Sequence, residues 1–365
     1  MGLQIGIVGL PNVGKSTLFN AITNSKVEAE NYPFATIDAN VGVVEVKDPR
    51  LNKLSEIFQS KKTIYTTIEF VDIAGLIAGA SKGEGLGNAF LANIRETDAI
   101  CEVVRCFDNK DITHVEGSVD PIRDIEIINL ELILADEASV KKRIDKLAPK
   151  AKTSKERAIQ TEWNLLQKLK AALSDGKLLN SLEYDEDESL LLKSFQLLTS
   201  KKFIYVANVA EDEIESENDY VKKVRAFADA NNAGLVVISA HIEEELSELA
   251  DEDKQVFMEE LGIKQSGLST LVEAGYKLLG LKTYFTAGPQ EARAWQFKDG
   301  MNAPQCAGII HTDFEKGFIK ADVYKCEDIF ALGSESAVKD AGKIRLEGKT
   351  YIMQDGDVCF FKFNN

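Results

Sequence analysis

One short stretch near the N-terminus constrains this chain more than any other feature. Residues 9–17 read GLPNVGKST and follow the apolar segment from Leu3 to Val8. They fit the pattern Gly, four residues, Gly-Lys-Ser, and a helix-like segment from Leu18 to Ile22 comes directly afterwards. A strand, a glycine-rich turn and a helix in this order are the context in which this pattern binds phosphate. We therefore predict a site for a nucleoside triphosphate.

The residue types in this phosphate loop explain the prediction. Because Gly9 and Gly14 have no side chains, the backbone can curl so that successive N–H groups and a helix N-terminus converge on the phosphates. Lys15 supplies a positive charge for the outer phosphates, and the Ser16 hydroxyl is placed to ligate Mg²⁺. The residues of this loop that we expect to contact the nucleotide are Asn12, Val13, Gly14, Lys15, Ser16 and Thr17.

Length and composition limit the class of protein. A chain of 365 residues, 44% hydrophobic and 28% charged, indicates a globular protein of two or three domains. No apolar run approaches the roughly 18 residues that would cross a bilayer, and the N-terminus enters the first predicted strand without a signal peptide. We therefore expect a cytoplasmic location. The five cysteines include no CxxC pair, so they indicate reduced thiols rather than a disulfide framework or a zinc site.

The order of apolar segments predicts an α/β fold. Short strand-like segments alternate with helical ones, which is typical of a mainly parallel sheet covered by helices. The interval between the fourth and fifth predicted strands is about 100 residues, far longer than a usual connection. The predicted strands are Leu3 to Val8, Val41 to Val46, Thr66 to Val71, Ala99 to Cys106, Phe203 to Ala207 and Leu235 to Ile238.

The long interval has the pattern of two amphipathic helices. Apolar residues recur three or four positions apart over residues 159–173, and before that at Ile127, Leu130, Leu134, Ala138, Ile144 and Leu147. Pro149 is expected to end the first helix. This pattern predicts an antiparallel helical hairpin that projects from the nucleotide-binding domain.

Three domains follow from these patterns. We predict a nucleotide-binding domain over residues 1–120 and 200–280, a helical, coiled-coil-like insertion over 121–199, and a small mixed domain over 281–365. The third domain is marked by short apolar segments with glycine punctuation, including Lys349 to Ile352 and Val358 to Lys362.

A second nucleotide element follows the third predicted strand. Residues 72–75 give the pattern DxxG, in which Asp72 holds Mg²⁺ through water and the Gly75 N–H reaches the terminal phosphate. Thr36 lies in the loop between the phosphate loop and this element, where its hydroxyl is expected to complete the Mg²⁺ shell. The glycine-rich residues 75–88 favour a mobile switch around the nucleotide rather than a plain surface loop.

Several segments together resemble one family of nucleotide-binding proteins. Residues 31–36 (NYPFAT), residues 72–91 (DIAGLIAGASKGEGLGNAFL), the helical insertion and a C-terminal domain beginning near residue 284 resemble the Obg family of translation-factor-like P-loop GTPases. More narrowly, the chain is similar to the Obg-like ATPase group, also called YchF, over essentially its whole length. The resemblance implies a P-loop NTPase domain, a helical arm and a C-terminal ubiquitin-like β-grasp domain of the TGS type.

The residues at the expected base site favour adenine over guanine. GTPases of this class read guanine with Asn-Lys-x-Asp, where residues 208–211 here read Asn-Val-Ala-Glu. Guanine presents two donors to the Asp carboxylate, whereas adenine lacks the 2-amino group and presents N1 as an acceptor. Without that Asp a buried guanine donor would stay unpaired, at a cost of roughly 1 to 3 kcal/mol. The resemblance implies that the adenine is bordered by Asn208, Val209, Ser239 and Ala240.

The residue after DxxG bears on catalysis. Many relatives have a Gln there that orients the attacking water, but this chain has Leu76, which neither donates nor accepts a hydrogen bond. We expect slow intrinsic hydrolysis and a missing group supplied elsewhere in the chain or by a partner. His114 is the candidate within the chain, against the alternative of a solvated loop histidine. Asn12 is a candidate ligand for K⁺, as in some relatives that lack the Gln.

The charge distribution suggests a partner surface. The net charge is −16, yet residues 141–157 carry 8 basic and 2 acidic residues, whereas residues 211–260 carry 16 acidic and 4 basic ones. The first cluster lies at the predicted hairpin turn, where it is either a phosphate-binding surface or a solvated helix end. We read the acidic stretch from Glu243 to Glu260 as a solvated face. The aromatic residues Trp295 and Phe297 are expected to be exposed on the C-terminal domain.

The resemblance favours ribosomal RNA or the ribosome as the partner, through the basic tip from Lys141 to Arg157 and the TGS domain. We expect a Mg²⁺-dependent ATPase that acts as a switch, with no membrane partner and no small-molecule substrate other than nucleotide and water. The alternatives are an ordinary Obg-type ribosome-assembly GTPase, or a nucleotide-gated scaffold whose hydrolysis is incidental.

Overall fold

A computed structural model describes residues 3–24, 40–73 and 86–364. The chain folds into two compact units. Of the described residues, the first unit comprises 3–24, 40–43, 69–73 and 86–274, and the second comprises 44–68 and 275–364. Residues 44–68 therefore belong to the second unit, although the sequence assigned them to the nucleotide-binding domain.

The described part of the chain contains twelve strands. They are β1 (Gln4–Val8), β2 (Val41–Val46), β3 (Lys62–Ile64), β4 (Thr66–Asp72), β5 (Ala99–Arg105), β6 (Lys202–Asn208), β7 (Gly234–Ile238), β8 (Leu281–Ala287), β9 (Glu291–Lys298), β10 (Phe318–Lys325), β11 (Arg345–Glu347) and β12 (Asp357–Phe363). The six strands that the sequence predicted before residue 240 are confirmed, and the short β3 was missed.

The helices of the same residues vary widely in length. They are α1 (Lys15–Asn24), α2 (Pro49–Phe58), α3 (Leu86–Glu96), α4 (Pro121–Thr153), α5 (Arg157–Ser174), α6 (Glu186–Phe195), α7 (Asp219–Ala230), α8 (Ala240–Glu248), α9 (Asp251–Glu260), α10 (Gly267–Leu278), α11 (Ala303–Ile310), α12 (Thr312–Lys316), α13 (Cys326–Leu332) and α14 (Glu335–Asp340). None of them combines the length and the apolar character of a bilayer span.

A six-stranded sheet organises the first unit. Its order is β2-β4-β1-β5-β6-β7, and the pairs from β4 to β7 are parallel. The predicted α/β fold with a mainly parallel sheet is confirmed. Because parallel strands end at the same edge, the loops that follow β1, β5, β6 and β7 meet there, which is where open α/β sheets bind ligands.

The predicted helical hairpin is formed by α4 and α5, which pack through a shared apolar core. Gln160 closes the turn by donating hydrogen bonds to the carbonyls of Ala151 and Ser154, at 2.9 and 2.8 Å. The expected helix end at Pro149 is wrong, because Pro149 lies inside α4 and the helix continues to Thr153.

The predicted apolar series of α4 is only partly correct: Ile144 and Leu147 pack against the hairpin core, but the core face predicted for the first half of the helix is wrong. Leu130 and Leu134 are 55% and 37% exposed, whereas Ile128 and Leu132 are buried. The buried face also carries polar side chains, so the apolar period alone pointed to the other side of the helix.

A second six-stranded sheet, of order β11-β10-β12-β8-β9-β3, organises the second unit. Residues 62–64 supply its edge strand, which pairs in parallel with β9. The predicted segment Lys349 to Ile352 forms an isolated bridge between Ile352 and Asn302 instead of a strand. Contrary to expectation Phe297 is buried, and Trp295 is partly buried against the same core.

Candidate nucleotide-binding site

The phosphate loop joins β1 to α1 at the shared edge of the first sheet. Asn12 and Gly14 both have positive φ angles, 65° and 96°, which turn the chain toward the first turn of the helix. Gly14 has a second reason to be glycine, because a Cβ atom there would overlap the Asn208 side-chain amide. Its carbonyl accepts the N–H of Leu18 at 3.0 Å, and α1 begins with this hydrogen bond.

The two charged residues predicted for the phosphates and metal lie together. Lys15 Nζ forms an ion pair with Asp72 Oδ1, and both side chains are partly buried. Ser16 stands exposed in the first turn of α1. A hydroxyl and a carboxylate at this edge are oxygen ligands of the kind that Mg²⁺ prefers, so these residues fit that ion.

Asn208, at the end of β6, braces the phosphate loop. Its Nδ2 donates to the carbonyl of Val13 at 2.8 Å, and its Oδ1 accepts the N–H of Ala240 at 2.9 Å. The Asn208 side chain is buried, as are Val209 and Ser239. The structure therefore brings four sequence-predicted residues, Asn208, Val209, Ser239 and Ala240, into one buried junction beside the phosphate loop.

Glu211 stands where a guanine-reading motif has its Asp. Its Oε1 lies 2.8 Å from His241 Nδ1, and both side chains are more than half exposed. This carboxylate is therefore engaged by a neighbouring side chain.

An arginine that sequence reasoning missed shapes the loop of residues 106–118, which we call the His114 loop. Arg105, at the end of β5, is 1% exposed. Its guanidinium donates to the carbonyls of Phe107, Asn109 and Ile112, at 3.2, 3.1 and 3.1 Å. The only sequence signal was a charged residue at the end of a mainly apolar strand.

His114 itself is buried, so the alternative of a solvated loop histidine is wrong. The residue is 8% exposed, and its Nε2 lies 2.8 Å from Asp124 Oδ2. The N–H of Glu116 donates to His114 Nδ1 at 3.1 Å, which leaves Nε2 as the protonated nitrogen that donates to Asp124. Asp124 was missed, because nothing in the sequence relates the first turn of α4 to this loop.

The His114 loop also contacts the phosphate loop. Asn12 Nδ2 donates to the carbonyl of Thr113 at 3.1 Å. His114 directly follows Thr113, so its Cα lies about 3.8 Å from the Cα of a residue that contacts the phosphate loop. The predicted proximity of His114 to the site is therefore seen, although its side chain is turned toward Asp124. Three other predicted site residues, Thr36, Gly75 and Leu76, lie outside the described residues, as does most of the predicted switch.

The basic cluster predicted at the hairpin surrounds the turn between α4 and α5. Its six lysines and Arg157 are exposed, and Arg143 stacks on Phe195 with its guanidinium carbon 4.5 Å from the ring centre. The acidic stretch is only partly solvated as expected. Glu243 is buried, and its carboxylate accepts the N–H groups of Gly267 and Leu268 at 2.6 and 3.1 Å.

The five cysteines lie in the interior. All five are buried free thiols, as the sequence predicted. Burial raises the pKa of the Cys106 and Cys306 thiols to about 12, so both are protonated at neutral pH.

Comparison with known proteins gives one consistent family. A family model described as a 50S ribosome-binding GTPase matches residues 4–141, and a C-terminal YchF GTPase model, described as a protein of unknown function, matches residues 281–364. The ribosome-binding ATPase YchF of Bacillus subtilis (strain 168) is 58% identical over 366 residues and covers 100% of both chains. Obg-like ATPase 1 of Pongo abelii is 47% identical and covers 99% of this chain and 92% of that protein.

A solved structure agrees with these relatives. The Schizosaccharomyces pombe YchF GTPase matches with a TM-score of 0.90 at 38% identity, over 99% of this chain and 98% of that one. Similarity of this extent covers both compact units and the helical insertion. This chain belongs to the YchF family.

Proposed function

We propose that this protein is a Mg²⁺-dependent ATPase that works as a molecular switch on the ribosome. The observation that carries the proposal is the cluster of Lys15, Asp72 and Asn208 around the phosphate loop, at the ligand-binding edge of a parallel sheet. Full-length relatives named ribosome-binding ATPase YchF support both the activity and the partner.

The base site supports ATP over GTP. Both polar groups of the Asn208 side chain are used by the protein, and the Glu211 carboxylate is engaged by His241. Val209 is apolar and buried. No carboxylate is therefore aimed by this motif at the two donors of guanine, and adenine does not need one.

Ser16, Asp72 and Thr36 are the residues that would hold Mg²⁺, with Asp72 acting through water. The ion would neutralise charge on the phosphates during transfer. Lys15 now neutralises Asp72, so a bound triphosphate would draw the ammonium toward its own oxygens and free the carboxylate for the metal shell. We propose that the Thr36 and Gly75 loops order around the triphosphate and relax after hydrolysis.

Leu76 supports slow intrinsic hydrolysis, because it cannot orient water. We propose that His114 supplies the missing polar group when a partner is bound. Asn12 donates its Nδ2 hydrogen to Thr113, which leaves Oδ1 as the atom that would ligate K⁺. Replacement of K⁺ by Na⁺ during the assay tests that site.

The ribosomal contact is proposed to use the basic tip from Lys141 to Arg157, whose lysines are exposed, together with residues 281–365, which we assign to the TGS type. The partner is the ribosome or its RNA, and the location is the cytoplasm. No membrane partner and no further small-molecule substrate are proposed.

Two measurements test this function. Titration calorimetry with Mg²⁺-ATP and Mg²⁺-GTP is expected to give tighter ATP binding, and equal or tighter GTP binding would favour an ordinary Obg-type GTPase. ATP turnover with and without purified ribosomes is expected to show strong stimulation. Ribosome binding without stimulation would favour the nucleotide-gated scaffold, and absence of ATP turnover in both conditions would refute the ATPase.

A further inference from the structure

The contacts of His114 raise a question about its role. Both ring nitrogens are already engaged, one by Asp124 and the other by the N–H of Glu116. The imidazole is also nearly inaccessible, with a side chain 5% exposed. A histidine held in this way cannot form a hydrogen bond to a nucleotide or to an attacking water until one of these bonds opens.

Asp124 is itself firmly placed. It lies in the first turn of α4, and Arg123 donates to its second oxygen, Oδ1, from Nε at 3.3 Å and from Nη2 at 3.0 Å. Arg123 Nη2 also donates to the carbonyl of Ser118 at 2.6 Å, which ties the end of the His114 loop to the same turn. The Asp124 side chain is 3% exposed, so its bond to His114 is shielded from water.

The rest of the His114 loop is fixed independently of this pair. Arg105 holds the loop before His114 through three carbonyls, and Asn12 holds the Thr113 carbonyl at the phosphate loop. If the His114–Asp124 bond opens, the backbone therefore stays beside the phosphate loop, and the Glu116 N–H is the remaining hydrogen bond of the imidazole. Beside the phosphate loop, the change is then confined to the His114 side chain.

The geometry points to Asp124 as a positioning residue that restrains His114: it holds the imidazole as the Nε2–H tautomer against the first turn of α4, away from the nucleotide. This inference rests on the proposed function, since it requires that His114 acts on ATP. It adds that the same helix carries the restraint at its first turn and the basic tip at its far end. Ribosome binding to that tip is then coupled to His114 through α4, because displacement of its first turn breaks the pair.

Asp124→Asn tests the restraint, because it keeps the shape of the side chain and removes its charge. Without ribosomes, ATP turnover is expected to rise roughly tenfold, the factor for exchanging a charge-assisted hydrogen bond for a neutral one. The fold stimulation by ribosomes is expected to fall correspondingly. Adding His114→Ala to Asp124→Asn is expected to abolish this gain in ATP turnover. If Asp124→Asn acted by a general loosening of the site, the gain would persist in the double variant.

Asp120→Asn is the matched control. It makes the same charge change at the start of the same helix, where Asn caps as well as Asp, and its side chain accepts from Arg123 N–H rather than from His114. Turnover of this variant is expected to stay at the wild-type value. Arg123→Gln is a second variant that tests the restraint. It removes the hydrogen bonds to Asp124 Oδ1 but keeps both His114 and Asp124, so a smaller gain in ATP turnover is expected.

A direct readout comes from long-range ¹H–¹⁵N spectra of the histidine rings. The chain has three histidines, so His114→Ala assigns the signal. The wild type is expected to show His114 as the Nε2–H tautomer, and Asp124→Asn is expected to shift its Nε2 resonance while Asp120→Asn does not.

Each result decides the inference. Lower or unchanged turnover in Asp124→Asn, or another tautomer in the wild type, would overturn it. These failures differ from failure of the proposed function, in which the wild type itself would not turn over ATP. If His114→Ala keeps full ribosome stimulation, the catalytic role of His114 is lost and the restraint with it, while the ATPase stands.

Discussion

Single residues of the phosphate loop satisfy several constraints at once, and Gly14 is the clearest case. Its φ of 96° is unfavourable for any residue with a Cβ atom, and that atom would also overlap Asn208 Nδ2. We predict that Gly14→Ala destabilises the fold by about 3 kcal/mol, from backbone strain together with displacement of Asn208. ATP affinity is expected to fall at least about tenfold, because the Asn208 brace holds the loop in place. Urea unfolding and calorimetry measure the two effects.

Gly176→Ala separates these causes. Gly176 has a φ of 72°, and apart from its two chain neighbours no described residue has an atom within 4 Å of the position that its Cβ would take, so only the backbone strain applies. Gly176→Ala is expected to lower the free energy of unfolding by about 1 kcal/mol and to leave the ATP affinity unchanged. Equal losses of stability and affinity in the two variants would show that the contact with Asn208 is unimportant.

Glu102 predicts a pH dependence of stability. It is 1% exposed on β5, and its Oε2 has no hydrogen-bond partner within the described residues. Burial, with a smaller contribution from the negative charge of Asp124, raises the pKa of this carboxyl well above its usual value. Because the folded state holds the proton more tightly, Glu102 costs nothing below its unfolded pKa and progressively reduces stability as pH rises toward the folded pKa.

Glu102→Gln is therefore expected to gain stability relative to the wild type as pH rises from 4.5 to 8, where 4.5 is the usual value for the carboxyl. Urea unfolding at a series of pH values measures the difference. Glu126→Gln, at an exposed position of α4, is the control and should follow the wild-type profile. A constant difference between Glu102→Gln and the wild type would mean that Glu102 is ionised in the folded protein.

Motif residues were predictable because their chemistry fixes their spacing along the chain. Lys15 and Asp72 were placed by phosphate and Mg²⁺ chemistry, and the structure joins them in one ion pair. Arg105 and Asp124 were not predictable, since a charged residue is normally solvated and their partners come from distant backbone. Burial of such groups depends on tertiary contacts that no local pattern reports.

Among the elements, α4 shows where pattern reading fails. Its pairing with α5 followed from the apolar period, yet in the first half of the helix the period selected the exposed face that carries Leu130. The buried face contains Asp124, Asn129 and Asp136, which a hydrophobicity pattern counts as solvent-facing. When the buried face of a helix carries polar side chains, a hydrophobicity pattern therefore does not identify that face.

Asp136 gives the prediction that belongs to this helix. Its carboxylate accepts the N–H groups of Leu198 and Thr199, at 3.0 and 2.8 Å, and the Thr199 hydroxyl at 2.7 Å. These bonds attach α4 to the chain that enters β6. We predict that Asp136→Ala lowers the free energy of unfolding by about 3 kcal/mol, because it leaves buried donors unpaired. Urea unfolding measures the loss.

Ser139→Ala is the comparison for Asp136. Ser139 lies on the same helix and donates only to the carbonyl of Ala135, four residues earlier, so its loss is expected to cost less than about 1 kcal/mol. If Asp136→Ala were as mild as Ser139→Ala, the attachment of α4 to β6 would not depend on this carboxylate.

The whole molecule is acidic, with a net charge of −16, whereas residues 141–157 around the hairpin turn are mainly basic. Lys142, Lys146 and Lys150 are exposed and spaced four residues apart, so they share one face of α4. Replacing all three by Glu is expected to weaken ribosome binding roughly a hundredfold near 0.1 M salt. The slope of log affinity against log salt concentration is expected to decrease by the equivalent of about two to three phosphate contacts. Sedimentation with purified ribosomes at several salt concentrations measures both quantities.

The control must carry the same charge change away from the turn. Lys170, Lys177 and Lys193 are exposed and lie outside residues 141–157, so their reversal to Glu lowers the net charge equally. Ribosome binding of this triple variant is expected to fall much less, because a local phosphate contact is lost only at the turn. Equal weakening by both triples would attribute binding to net charge alone. If the turn variant binds like the wild type, the ribosomal contact lies elsewhere on the chain.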